Sequence, residues 1–111
     1  MTFPEDQLAE LKQFFANIQT AKEAGITYVL LPGVTLPPGC EPTTMDLLLC
    51  PSPRDGYESR LYFAGSVKCK AGLNWNGNTR VLERNWCAYS WQVPGNLRLV
   101  QMVQAHLQAL R

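Results

Sequence analysis

Apolar residues recur with a helical step in the first part of the chain. Leu8, Leu11, Phe15 and Ile18 make one stripe, and Glu10, Lys12, Gln13, Asn17 and Gln19 lie opposite it. That is the pattern of an amphipathic helix resting on a core. Thr2 and Glu5 have the spacing of a capping box, Pro4 suits a first turn, and Gly25 is a natural stop. The pattern therefore predicts a helix from about Pro4 to Ala24.

The period then changes. Ile26 to Leu31 is β-branched, aromatic and apolar, and Pro32-Gly33 is expected to end it. Leu36-Pro37-Pro38-Gly39 to Pro42 reads as turn-rich, since proline cannot donate to a sheet. Thr43 to Cys50 is the next strand, Pro51 to Gly56 a loop, and Tyr57 to Ala64 a strand with alternating sides. Ser66 to Lys70 reads as a short edge strand with Lys68 and Lys70 on its wet face. Asn76-Gly77 has the composition of a hairpin turn between Leu73-Asn74-Trp75 and Thr79 to Leu82. Asn85 to Val93 shows no clean period. After Pro94-Gly95, Asn96 is placed to cap a closing helix whose buried stripe is Leu97, Val100, Val103, Leu107 and Leu110. The single histidine, His106, reads as a surface or boundary residue on it. Consecutive strands joined by short turns pair antiparallel, and two amphipathic helices can cover one sheet face, so the order points to one α+β domain over residues 1–111.

Composition narrows the function classes. Hydrophobic residues are 46% of the 111 and charged residues 17%, a core-forming mixture rather than a disordered one. The formal net charge of +1 gives no electrostatic reason to expect nucleic acid or an anionic membrane as a partner. No apolar run approaches the ~20 residues that span a bilayer. Met1 to Asp6 lacks the basic and apolar regions of an export signal, so the expected location is the cytoplasm. In that compartment Cys40, Cys50, Cys69 and Cys87 are expected as thiols. No two of them form a Cys-x-x-Cys pair, so neither a metal site nor a cofactor site is expected.

The segment from Arg84 to Pro94 is the most unusual, with Trp86, Cys87, Tyr89 and Trp91 crowded ahead of the closing helix. A nucleophilic cysteine needs partial exposure and help in forming thiolate, which Arg80 and Arg84 could give to Cys87. A packed thiol beneath Trp86 and Trp91 is the plainer reading, because unbridged cysteine is among the most buried residue types. Cys69, between Lys68 and Lys70, is expected to face inward while the lysines face out. Asn74, Asn76, Asn78 and Asn85 each carry an amide able to donate to a developing oxyanion, though asparagine beside Gly77 is more often turn chemistry. One histidine on a packing helix gives Ser-His-Asp catalysis little support, and no glycine-rich phosphate loop is present.

Three runs together resemble a known family: Tyr28-Val29-Leu30-Leu31-Pro32-Gly33, Leu36-Pro37-Pro38-Gly39-Cys40, and Thr44-Met45-Asp46-Leu47-Leu48-Leu49. They are similar to the prokaryotic branch of the ubiquitin-conjugating enzyme superfamily, and more narrowly to bacterial family E. Trp86-Cys87-Ala88-Tyr89-Ser90 resembles that family's aromatic and serine segment. The resemblance implies a UBC-like fold: an N-terminal helix, an antiparallel meander of about four strands and a C-terminal helix. It also implies Cys87 as a thioester-forming catalytic cysteine, Asn78 as its amide partner, and two protein partners, a ThiF-like activating enzyme and a ubiquitin-like protein. The match has departures. Active superfamily members carry His-Pro-Asn ahead of the cysteine, whereas Asn78 stands here without His or Pro. Ser90 is followed by Trp91-Gln92 where the family continues Arg-His. A catalytically inactive protein-binding module on the same fold is therefore the alternative.

Overall fold

The computed structural model describes residues 5–52, 56–69, 75, 77–89 and 91–110. Its elements are α1 (Glu5–Phe14), β1 (Gln19–Glu23), β2 (Ile26–Thr35), β3 (Thr44–Cys50), β4 (Arg60–Phe63), β5 (Gly77–Val81), β6 (Arg84–Ala88) and α2 (Leu99–Gln108). The strands form one antiparallel sheet in the order β1, β2, β3, β4, β6, β5. The α+β class and the flanking helices agree with the sequence reading; the strand number, six rather than about four, does not.

Both extra strands come from tight hairpins. The first helix ends at Phe14, ten residues before the expected Ala24. Asn17, at φ 59°, turns the chain out of the helix. Gln19–Glu23 then pairs antiparallel with β2, from Gln19 opposite Leu30 to Glu23 opposite Ile26. Ala24 (φ 53°) and Gly25 (φ 79°) make the two-residue turn, so Gly25 serves a hairpin and not a helix stop. β1 is a largely exposed edge strand, which is why its polar sequence passes for the wet side of a helix. At the other end Leu82 (φ 52°) and Glu83 (φ 64°) turn β5 into β6, a reversal the sequence reading did not mark. Gly77 opens β5, and Asn76 lies outside the described residues, as do Thr2, Pro4, Lys70, Asn74 and Ser90.

Non-glycine residues in the left-handed region cost roughly 1 kcal/mol each. Glu83→Gly is therefore expected to raise unfolding stability by ~1 kcal/mol, read as a higher urea midpoint at unchanged slope. A lower midpoint would mean that the exposed Glu83 side chain holds the turn by a contact that its backbone does not reveal.

Pro32-Gly33 does not end β2. It forms a bulge, where the register shifts between Leu31 opposite Leu47 and Val34 opposite Met45. Gly33 takes φ 61°, and its N–H donates to Asp46 Oδ1 at 2.8 Å, so the donor freed by the bulge is satisfied. The expected edge strand at Ser66 to Lys70 is reduced to one bridge, Glu41 opposite Lys68.

Strand alternation sorts the core into two layers. Val29, Leu31, Leu47, Leu49, Leu61 and Phe63 face α1 and α2, meeting Leu11, Val100, Val103 and Leu110. Tyr28, Leu48, Cys50, Tyr62, Val81, Trp86 and Ala88 face the other way. The sheet curls around this second layer: Glu23 on β1 accepts the Leu82 N–H at 3.1 Å, joining the two outer hairpins. The N-cap of α2 is Arg98 rather than Asn96. Arg98 reaches Glu10 at 2.9 Å and Asp6 at 3.0 Å. Gln7 accepts the Leu99 N–H at 3.2 Å, so α1 supplies a cap for α2.

Candidate functional site

Cys87 lies on β6, between β4 and β5, and not in a loop before α2. Trp86 and Ala88 point into the inner layer of the curl, so Cys87 points to the opposite, helix-bearing face. Its cross-strand partners are Phe63 on β4 and Asn78 on β5. Directly opposed residues share a face, with Cβ atoms about 5 Å apart. The cysteine and the asparagine singled out from the sequence are therefore immediate neighbours, Asn78 exposed and Cys87 half-buried. Arg80 opposite Asn85 continues the same face one step along the hairpin, and Arg80 is exposed.

Arg84 is on the other face. Its guanidinium bonds Asp46 at 3.2 Å and stands 4.6 Å from the Trp86 ring centroid. Only Arg80, of the two arginines expected to help Cys87, is on its side. Nor does Trp86 cover the thiol; Trp91 is 44% exposed. Beyond Cys87 on the same face, Phe63, Trp75 and Tyr89 form a mutual aromatic triad with centroids 5.1–5.6 Å apart.

No protein-family model, curated protein or solved structure matches this chain. The site has to be read from its own chemistry. Cys87 supplies a half-exposed sulfur with the exposed Asn78 across from it. A groove of about 490 Å³ is lined by Thr35, Leu36, Pro37, Pro38, Gln104, Leu107 and Gln108. It lies between the proline loop after β2 and the end of α2, and neither Cys87 nor Asn78 lines it. Among the described residues no group of three or more His, Cys, Asp or Glu side chains is placed to hold a metal ion, and no helix is long and apolar enough to cross a membrane.

The polar centre that the sequence reading missed is on α2. His106 is buried, not at a boundary, and its Nε2 is 3.0 Å from Ser59 Oγ. The Tyr89 hydroxyl donates to the His106 carbonyl. Burial, and secondly the positive charge of Arg60, pushes the imidazole down to about 4 from the ordinary 6.5. The Ser59 side chain is fully enclosed, so this pair fastens α2 to the start of β4 and offers no nucleophile to a substrate. The signal was in the chain: His106 sits three residues after Val103 and four before Leu110, on the stripe that α2 buries.

Proposed function

We propose that this domain is a UBC-like carrier, with Cys87 as the residue that accepts the C-terminus of a ubiquitin-like protein. The observation that supports it is the register of β5 and β6, which sets Asn78 opposite Cys87. In the proposed reaction the Cys87 thiolate attacks the thioester carbonyl held by a ThiF-like activating enzyme. The tetrahedral intermediate collapses and expels the activating enzyme's thiolate, leaving the ubiquitin-like protein on Cys87. An acceptor amine then attacks that carbonyl, loses a proton, and releases the Cys87 thiolate. Both steps build negative charge on the carbonyl oxygen, and in this reading the Asn78 amide N–H donates to it.

The test is incubation of the chain with its ThiF-like enzyme, ATP and ubiquitin-like protein. A thiol-sensitive adduct is expected, absent in Cys87→Ser. Asn78→Ala is expected both to charge and to discharge to an amine on the order of 100-fold more slowly. Equal thiol-sensitive adduct in Cys87→Ser would remove Cys87 from the role. Equal discharge in Asn78→Ala would remove Asn78 alone.

A second reading, a non-catalytic protein-binding module, is favoured by the half-burial of Cys87 within a strand and by two large exposed apolar side chains, Phe14 (60%) and Trp91 (44%). Native alkylation separates the two: a carrier thiol reacts before the protein unfolds, and a packed one reacts only after.

A further inference from the structure

Cys40 and Cys69 lie far apart in sequence, and one backbone bridge brings them together. Glu41 and Lys68 exchange both main-chain hydrogen bonds, Glu41 N–H to the Lys68 carbonyl at 2.8 Å and Lys68 N–H to the Glu41 carbonyl at 2.9 Å. In an antiparallel pairing the residues one step outward, Cys40 and Cys69, then stand opposite as a non-hydrogen-bonded pair. Cα atoms in such pairs are about 4.5 Å apart and the side chains share a face. A disulfide requires a Cα separation of roughly 4.4–6.8 Å, which is the spacing that regular antiparallel pairing gives to residues so placed. Burial, and secondly the neighbouring Cys69 thiol, raises the Cys40 thiol above its usual range. No disulfide joins them in this structure.

We propose that Cys40 and Cys69 form a two-thiol redox site that a peroxide closes to a disulfide. Cys69 is half-buried and Cys40 is buried, 4% exposed, so Cys69 is the sulfur that an oxidant reaches. Its thiolate attacks one peroxide oxygen, the O–O bond breaks, and the products are a sulfenic acid and hydroxide. Cys40 sulfur then attacks the Cys69 sulfur. The S–S bond forms, the sulfenic oxygen leaves as hydroxide, and the Cys40 proton makes it water. In sum two thiols and one peroxide give one disulfide and two waters, with two electrons passing from sulfur to the peroxide.

Closure would fasten the end of the Leu36-Pro37-Pro38-Gly39 loop to the segment after β4. Leu36, Pro37 and Pro38 form one wall of the groove against α2, so oxidation would fix that wall. Nothing in this step uses Cys87 or Asn78, and the inference stands independently of the carrier role.

The experiment takes the full reduced chain, treats it with hydrogen peroxide under native conditions, blocks remaining thiols, and maps peptides without reduction. The expected result is one dominant cross-link, Cys40 to Cys69, with Cys50 and Cys87 still blocked as thiols. The oxidised chain should melt roughly 10 °C higher, because the bond closes a long loop of the unfolded chain. Cys40→Ala should stop at a Cys69 sulfenic acid that dimedone traps. Cross-links through Cys50 or Cys87, links between molecules, or Cys40 and Cys69 both recovered as blocked thiols would each overturn the assignment. The wild-type map decides this alone, whatever the folding of the variant.

Discussion

Trp86→Ala should cost about 3–5 kcal/mol of unfolding stability. Truncating a buried aromatic removes its transfer free energy and leaves a cavity that the surroundings refill only in part. Trp86 is 1% exposed and heads the large side chains of the inner layer. That layer has no helix over it and depends on the curl of the sheet, so few elements can move in to fill the gap. The substitution also strips the Val81 carbonyl of the indole N–H that it accepts at 3.0 Å, and removes the ring beneath Arg84. Total stability of a domain this size is roughly 5–15 kcal/mol, so a loss of this order is a large fraction of it. Urea unfolding at 25 °C measures it. Trp86→Phe, which keeps the apolar bulk, should lose about half as much, and Trp91→Ala, at an exposed site, under ~0.5 kcal/mol. A Trp86→Ala cost below ~1 kcal/mol would mean that the inner layer is not packed as described.

The sequence was most legible where a run of apolar residues is buried. The stripe through Val100 and Val103 located α2, and the apolar run Thr43 to Cys50 and the alternating Tyr57 to Ala64 located β3 and β4 to within a few residues, although β4 is buried on both faces. It was least legible at the sheet's edges, where burial imposes no period. Gln19 to Glu23 carries almost no hydrophobic signal, and its identity as a strand comes from pairing with β2, a non-local contact. The turn at Leu82-Glu83 is hidden for another reason. Neither residue favours a positive φ, so nothing local marks the reversal. This bears on the candidate site. Asn78 and Cys87 were identifiable by type, but they oppose one another because they are equidistant from that unmarked turn. The same blindness explains the arginines. Arg80 and Arg84 are four apart, yet lie on opposite faces because the chain reverses between them. His106 was missed through its type: an ionisable side chain is expected at the surface even when its neighbours three and four residues away are core.

Lowering the pH from 6.5 to 4 should destabilise the fold by ~3 kcal/mol through His106 alone. Above 6.5 the imidazole is neutral in both states, so its contribution does not change with pH. Between 6.5 and about 4 the unfolded chain binds a proton that the folded chain does not, and stability falls as pH falls. Below about 4 both states are protonated and this group adds no further slope. The gap of roughly 2.5 pH units, at about 1.4 kcal/mol each, gives the ~3 kcal/mol. The physical origin is specific to the site. His106 is 2% exposed, its Nε2 meets the neutral hydroxyl of Ser59, and the positive charge of Arg60 opposes a second positive charge beside it. Comparing urea midpoints of wild type and His106→Gln across this range isolates the term, since the surface carboxylates titrate in both. The wild type should lose its advantage over the variant as pH approaches 4. Direct titration of the imidazole by NMR checks the cause without any variant: a ring that takes its proton near 6.5 in the folded protein would leave Ser59 and Arg60 no part in acid sensitivity.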